Sequence, residues 1–274
     1  MVFSNKLAYS FQPLYIALFL IDSYLVMDKG KKAPLLNKNE YYYLEGPQSR
    51  SYELGFGFSV LWEFVKGFRA LHFVGPCITV FGSARFKEGH AYYELARKVG
   101  ARIAYEGLTV MTGGGPGVME AANRGAFETG GKSVGCNIEL PHEQAHNPYM
   151  QKWVTIKYFF VRKVLLVKYS YGFVVMPGGV GTLDEFYETL TLIQTATIQN
   201  FPLVLMGKTY YEPIIEMLNV MVKEGTVAPE DLNLVKITDD VEEAVLHIRH
   251  YISTNYKFVP KKKPKPFWWL FEKN

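Results

Sequence analysis

From residue 75 onward the chain alternates short apolar runs with amphipathic stretches. "CITVFGS" (77–83) is a β-branched run ending in glycine and predicts a strand. "EGHAYYELARKVGARIAYEG" (88–107) has helical period, with Tyr92, Leu95, Val99 and Ile103 near four-residue steps and Gly107 as a stop. "LTVMTGGG" (108–115) predicts a second strand running into glycines, and "GVMEAANRGAFETG" (117–130) a helix of small residues. "KSVGCNIEL" (132–140) predicts a third strand, "YFFVRKVLLVKYS" (158–170) a short helix, and "GFVVMPGG" (172–179) a fourth strand. A helix from Thr182 to Gln199 follows. "PLVLMG" (202–207), a helix from Tyr210 to Glu224, "LNLVKIT" (232–238) and a helix from Val241 to Thr254 complete the series.

Strand–helix alternation of this kind builds right-handed βαβ units around a parallel sheet. Continuous apolar strands are what a sheet covered on both faces requires. The expected fold is therefore α/β, an open doubly wound parallel sheet with helices on both faces. Ligands in such sheets sit at the carboxyl ends of the strands, and the glycines cluster at those ends: Gly82, Gly113 to Gly115, Gly178 and Gly179.

Three segments fall outside this alternation. Residues 51–71 place Leu54, Phe58, Leu61, Val65 and Phe68 on one apolar helix face, which predicts a leading helix packed on the sheet. The domain organisation expected is an N-terminal extension over 1–50, a single domain over 51–255, and a basic, aromatic tail over 256–274. "LYIALFLI" (14–21) is too short to span a membrane and is followed by Asp22. Its flanks resemble a signal peptide without a clear cleavage site; the favoured reading is a start at Met27, which leaves a polar, disordered beginning. In the tail, prolines break any helix, and "FWWLF" is too apolar for water. It reads as docking back on its own dimer, with a membrane-surface contact as the alternative.

Composition changes this picture little. Apolar residues make up 49% of 274, enough for a core, and the formal charge of +4 gives only a weak pull on anions. No nucleic-acid partner or membrane span is expected. Cys77 and Cys136 lie in apolar runs without metal-ligand spacing, so they read as buried, reduced thiols of a cytoplasmic protein, with no metal site.

The glycine turns carry the chemistry. "TGGGPGVMEAANRGA" (112–126) departs from a dinucleotide fingerprint: Val118 stands at the last glycine position, and only Glu139 is near the place of a ribose-binding acid. A Walker loop fails because no Gly-Lys-Ser/Thr follows. What remains is more general. Each turn leads into a helix N-terminus, where free N–H groups and the helix dipole favour an anion. In "PGGVGT", Gly179 and Gly181 let a phosphate approach the backbone, and the Thr182 hydroxyl can donate to it.

Three acids follow at once: Asp184, Glu185 and Glu188. Dipole compensation is one reading, worth about 0.3–1 kcal/mol each when exposed. The other places a carboxylate beside the sugar of a phosphate-anchored nucleotide, where it stabilises an oxocarbenium-like transition state or orients water. "FFVRKVLL" (159–166) puts Arg162 and Lys163 in a strongly apolar helix, where charges need partners. Arg162 reads either as a salt bridge to a helix acid or as a bridge between substrate and carboxylate, and Lys163 as a solvent or phosphate contact.

"PGGVGTLDE", "GGGPGVMEAANRGA" and "VRK" together resemble the LOG-like proteins over about residues 75 to 250. These are cytokinin-activating nucleoside 5′-monophosphate phosphoribohydrolases, often labelled lysine decarboxylases. "ITVFGSARF", "NIELPHEQAHNPY" and "YFFVRK" resemble the bacterial branch. The resemblance implies a Rossmann-like fold, a homodimer, no cofactor, and hydrolysis of a nucleoside monophosphate to free base and ribose 5-phosphate. It implies Arg162 and Glu185 as the catalytic pair and Gly178, Gly179, Gly181 and Thr182 as the phosphate loop. Ser83, Gly113, Gly114 and Gly115 would line the nucleotide, with Lys163 and Asp184 also at the substrate. Phe159 stands where the family has methionine, so the preferred base, AMP or an isoprenylated relative, stays open. Three rival readings are a non-catalytic nucleotide or molybdenum-cofactor carrier, an NAD(P)-dependent enzyme, and a pyridoxal-phosphate decarboxylase using Lys163 or Lys168. A pure binder has no need of the acid, and no lysine sits in a pattern suited to a Schiff base.

Overall fold

The computed structural model describes residues 46–140 and 146–255. The expectations for the N-terminal run, the Met27 start and the aromatic tail fall outside the described residues.

Seven parallel strands form one sheet in the order β4-β3-β2-β1-β5-β6-β7. The elements are α1 (Arg50–Leu71), β1 (Cys77–Phe81), α2 (Ala91–Tyr105), β2 (Thr109–Thr112), α3 (Val118–Glu128), β3 (Ser133–Ile138), β4 (Lys152–Ile156), α4 (Phe159–Tyr169), β5 (Ser170–Val175), α5 (Val180–Gln194), β6 (Leu203–Leu205), α6 (Lys208–Lys223), β7 (Val235–Ile237) and α7 (Val241–Asn255). No helix among the described residues is long and apolar enough to cross a membrane.

The central strands are buried on both faces, as their continuous apolar runs predict. In β1, Cys77 and Phe81 join one core with Phe173 and Val175 of β5, and α1, α4, α5 and α6 pack there through Phe64, Leu165, Phe186 and Tyr211. Ile78 and Val80 point the other way and meet Val99 and Ile103 of α2, Ala122 of α3 and Ile248 of α7. The period-2 alternation of a strand thus makes a three-layer sandwich from one apolar run.

Four expectations need correcting. Edge strand β4 was not predicted. Only Val154 and Ile156 of "KWVTI" are buried, so half of the strand reads as polar surface. The first half of "LNLVKIT" lies in a 3-10 turn over Pro229–Leu234, and β7 begins at Val235. α5 stops at Gln194, five residues before Gln199, because Ala196 takes a left-handed φ of 54°. That conformation costs an alanine about 1–2 kcal/mol and glycine very little. Ala196→Gly should therefore stabilise the protein by about 1 kcal/mol, seen as a higher Tm. An unchanged Tm would mean that the turn is not strained.

The fourth correction concerns α1. Its predicted apolar face does not pack on the sheet: Leu54, Phe58 and Leu61 are 65%, 71% and 58% exposed. Another stripe faces inward. Val60, Phe64 and Leu71 join the core, and Gly67 lies so close to Leu165 of α4 that a Cβ there would overlap it. Buried Glu63 accepts the Lys157 N–H at 2.8 Å, and Ser59 Oγ lies 3.0 Å from the Tyr158 hydroxyl. The helix is apolar on most sides, so periodicity alone could not select its buried face. The close approach at Gly67 and the polar partners of Glu63 and Ser59 select it.

Candidate active site

β1 sits between β2 and β5, so chain order reverses beside it. A crevice opens at the carboxyl ends of strands at such a switch point. Ser83, just past β1, joins the turns that meet there. Its N–H donates to the Pro177 carbonyl at 3.0 Å, and its carbonyl accepts the Val118 N–H at 3.0 Å. The first bond ties it to the "PGGVGT" loop and the second to the N-terminus of α3. Gly117 holds a φ of 71°, and a side chain there would run into the Ser83 and Ala84 backbone. The glycine turns predicted to form one site do come together.

Their glycines serve different purposes. A Cβ on Gly113 would lie 2.5 Å from Arg162 Nη2, and one on Gly114 would overlap Asn137 Oδ1. Protein side chains fill those spaces. Gly178 is likewise closed over by the Thr182 side chain. Around Gly179 and Gly181 nothing lies within 4 Å of the Cβ position. These two are the glycines that leave an open approach to the N-terminus of α5, where unpaired N–H groups favour an anion. The Tyr210 hydroxyl braces the loop by donating to the Gly178 carbonyl at 2.8 Å.

One helical turn into α5, Glu185 is only 5% exposed. Burial pushes its carboxyl pKa up to about 7, with Arg162 and then Lys163 pulling it back and Glu188 and Asp184 adding to the rise. Arg162 reaches it from α4, Nη1 to Oε1 at 3.7 Å. The guanidinium is held elsewhere: Nε donates to the Cys136 carbonyl within β3, at 2.9 Å. A 3.7 Å separation is too long for a hydrogen bond, so the pair is close but not closed. A desolvated carboxyl poised near neutrality beside an anchored cation is the electrostatic pattern of a working acid or base.

Lys163 and Asp184 stand apart from this pair. Lys163 Nζ contacts Asp184 Oδ1 at 2.8 Å and Glu188 Oε2 at 3.0 Å. Burial works to lower the Lys163 pKa, but the two carboxylates outweigh it and the net shift is upward. Of the three acids that open α5, two thus neutralise a lysine on its flank, and Glu185 alone turns into the buried crevice.

Sequence reasoning passed over several residues of this neighbourhood. Asn137, next to last in β3, has its side-chain nitrogen 2.5 Å from His146 Nδ1, and its Oδ1 has no hydrogen-bond partner among the described residues. Asn147 is buried against the Gly114–Gly115 turn. Both lie in "NIELPHEQAHNPY", where polar residues interrupt an apolar strand end. That was the available signal.

Comparison with known proteins identifies the family. The family model described as possible lysine decarboxylase matches residues 119–248. The cytokinin riboside 5′-monophosphate phosphoribohydrolase of Rhodococcoides fascians is 33% identical over 178 residues, covering 63% of this chain and 88% of that protein. The chain belongs to the LOG-type phosphoribohydrolase family. The Mycobacterium tuberculosis member is 30% identical over 155 residues, covering 56% of this chain and 82% of its own. The rice member LOG is 25% identical over 175 residues, covering 62% and 71%. Among solved structures, the Chlamydomonas molybdenum-cofactor carrier protein superposes with a TM-score of 0.50 at 24% identity, over 65% of this chain and 98% of that one. That likeness concerns the fold alone.

Within this LOG-type chain, neither Lys163 nor Lys168 suits the decarboxylase description. A Schiff-base lysine works as a neutral amine. Lys163 is instead held as a cation by two acids, and Lys168 lies over the Phe68 and Tyr169 rings at 5.7 and 5.9 Å.

Proposed function

We propose that this protein is a nucleoside 5′-monophosphate phosphoribohydrolase, a hydrolase cleaving AMP or a cytokinin riboside monophosphate to free base and ribose 5-phosphate. The observation that carries the reading is buried Glu185, one turn beyond the open glycines Gly179 and Gly181 and beside Arg162. The names of the bacterial relatives support the same activity.

In this mechanism the phosphate binds at the N-terminus of α5, against Gly179, Gly181 and Thr182. Fixing that end places the ribose toward Glu185. The bond from the anomeric carbon to the base nitrogen breaks with its electrons leaving to the base. Positive charge grows on the sugar, and the Glu185 carboxylate stabilises it and orients the attacking water. Water oxygen bonds to the anomeric carbon, and its proton ends on the departing base. Arg162, fixed by the Cys136 carbonyl, keeps Glu185 ionised when substrate is bound and contacts the nucleotide. Ser83 and the Gly113–Gly115 turn line the crevice. Lys163 and Asp184 support the flank of α5 beside the substrate. Chromatography of AMP digests tests the reading: adenine and ribose 5-phosphate are expected. No release from AMP, GMP, CMP or isopentenyl-AMP would refute it.

We further infer a homodimer through α1 and α4. Exposed Leu54, Phe58, Leu61 and Trp62 of α1 stand on the helix that packs against α4, where Phe159, Phe160 and Val164 are also exposed. The Phe56, Tyr158 and Phe160 rings link the two surfaces. An apolar surface of this extent calls for a partner, and the resemblance to the LOG-like proteins implies a second copy in that place. Light scattering should give a dimer for the native chain and a monomer for Phe58→Glu/Leu61→Glu. A native monomer at micromolar concentration would overturn the assignment.

A further inference from the structure

The Gly113–Gly115 turn is held by a closed set of buried side chains that the hydrolytic mechanism does not use. The Asn147 N–H donates to the Gly114 carbonyl at 3.0 Å. Asn147 Nδ2 donates to the Gly115 carbonyl at 3.1 Å and to Asn123 Oδ1 at 3.0 Å, while its Oδ1 accepts the Tyr149 N–H at 3.2 Å. Asn123 Oδ1 also accepts from Thr112 Oγ1 at 2.5 Å, and its Nδ2 donates to Ser133 Oγ at 2.7 Å. Thr112 Oγ1 in turn accepts the Gly114 N–H at 2.9 Å. Both peptide groups of Gly114 and the carbonyl of Gly115 are thus tied down by Thr112 and Asn147, with Asn123 cross-linking the two.

Asn123 lies on α3 and Arg162 on α4, on opposite faces of the sheet. The lock therefore reaches the turn from one side and the guanidinium from the other. Arg162 Nη2 occupies the space that a Gly113 side chain would take. The Cys136 carbonyl holds Arg162 Nε, and Gly113 of the turn borders Nη2, the end of the guanidinium whose neighbour Nη1 lies 3.7 Å from Glu185. None of the three locking residues makes a hydrogen bond or ion pair with Arg162 or Glu185.

We propose that Asn147, acting with Asn123 and Thr112, is a positioning residue for the hydrolysis: it holds the glycine turn against which Arg162 is placed. The proposal rests on the phosphoribohydrolase reading. Losing the lock lets the turn and the guanidinium drift by a fraction of an ångström to an ångström, a displacement that costs about a hundredfold in turnover. The phosphate anchor at Gly179, Gly181 and Thr182 belongs to another loop and keeps its affinity.

The test compares Asn147→Ala and Thr112→Val with the native enzyme and with Thr109→Val as a control. Thr109, at the other end of β2, loses a buried bond to the Val74 carbonyl (2.6 Å). That control should lower Tm comparably and leave kcat unchanged. Asn147→Ala should lower kcat by about a hundredfold, with the AMP dissociation constant within about threefold of native. Thr112→Val removes the acceptor of the Gly114 N–H and should show the same split, which keeps the test available if Asn147→Ala does not fold. Native kcat in both lock variants would overturn the proposal, as would equal losses in Thr109→Val, which would trace the effect to stability. Base release absent from the native enzyme itself would refute the hydrolase reading, and this inference with it.

Discussion

Replacing Glu185 with glutamine is expected to abolish base release from AMP, by about a thousandfold or more, and to leave AMP binding within a few-fold. Glutamine keeps the size and one acceptor but supplies no negative charge to a developing oxocarbenium ion. The proposed phosphate anchor lies a helical turn away, at glycines with open surroundings. Binding and turnover should therefore separate. Undiminished turnover in this variant would remove Glu185 from the chemistry.

The same carboxyl sets two pH dependences. If the ionised form is the active one, kcat/KM rises with pH through an acid limb near 7, because burial has pushed Glu185 up to about 7. Stability runs the other way. A carboxyl raised in the folded protein contributes stability that is fully present below its ordinary value of 4.5 and is lost as pH rises through 7. Over that interval the native protein loses on the order of 3 kcal/mol that the neutral glutamine does not. Glu185→Gln should accordingly have the higher Tm at pH 8, with the two proteins converging near pH 4.5. Equal Tm values at pH 8 would mean that the carboxylate is well solvated.

Gly181→Ala is the second large effect expected. Gly181 is the second residue of α5 and has open space at its Cβ position. Alanine is the better helix former by up to about 1 kcal/mol, so the variant should be at least as stable as the native protein. The added methyl enters the open space in which the proposed mechanism seats the phosphate. A loss of about 1–3 kcal/mol in substrate binding is expected, seen as a rise in KM of about fivefold or more. Gain of stability with loss of affinity is the signature of a glycine kept for a ligand. An unchanged KM would place the phosphate elsewhere. Gly114 offers the contrast. Its φ is 73° and its missing side chain is replaced by Asn137, so any substitution there acts on the fold first.

Much of this was legible in the order of residues. Continuous β-branched runs between helical periods require a parallel sheet with two covered faces, and strand ends rich in glycine mark the ligand edge of such a sheet. The pairing of "VRK" with "PGGVGTLDE" brought Arg162 and Glu185 into view together. The sheet and its glycine-rich edge follow from local composition and short-range periodicity, which a sequence carries directly; the pairing of Arg162 with Glu185 came from the resemblance of these motifs to the LOG-like proteins.

Other features are decided by what lies across the sheet. α1 is apolar on most sides, and only contact at Gly67 and the partners found by Glu63 and Ser59 choose its buried face. Edge strand β4 has one covered face and so lacks a continuous apolar run. Three acids within five residues look equivalent in sequence; Lys163 takes two of them, and the core takes the third and desolvates it. The glycines look equivalent too, yet Arg162, Asn137 and Thr182 close over some while the surface leaves Gly179 and Gly181 open. By itself the sequence determined the sheet, its ligand edge and the residue types available there. Tertiary structure decided which carboxyl is buried, which glycines stay open and what holds the arginine in place, because desolvation and steric exclusion come from neighbours far apart in the chain.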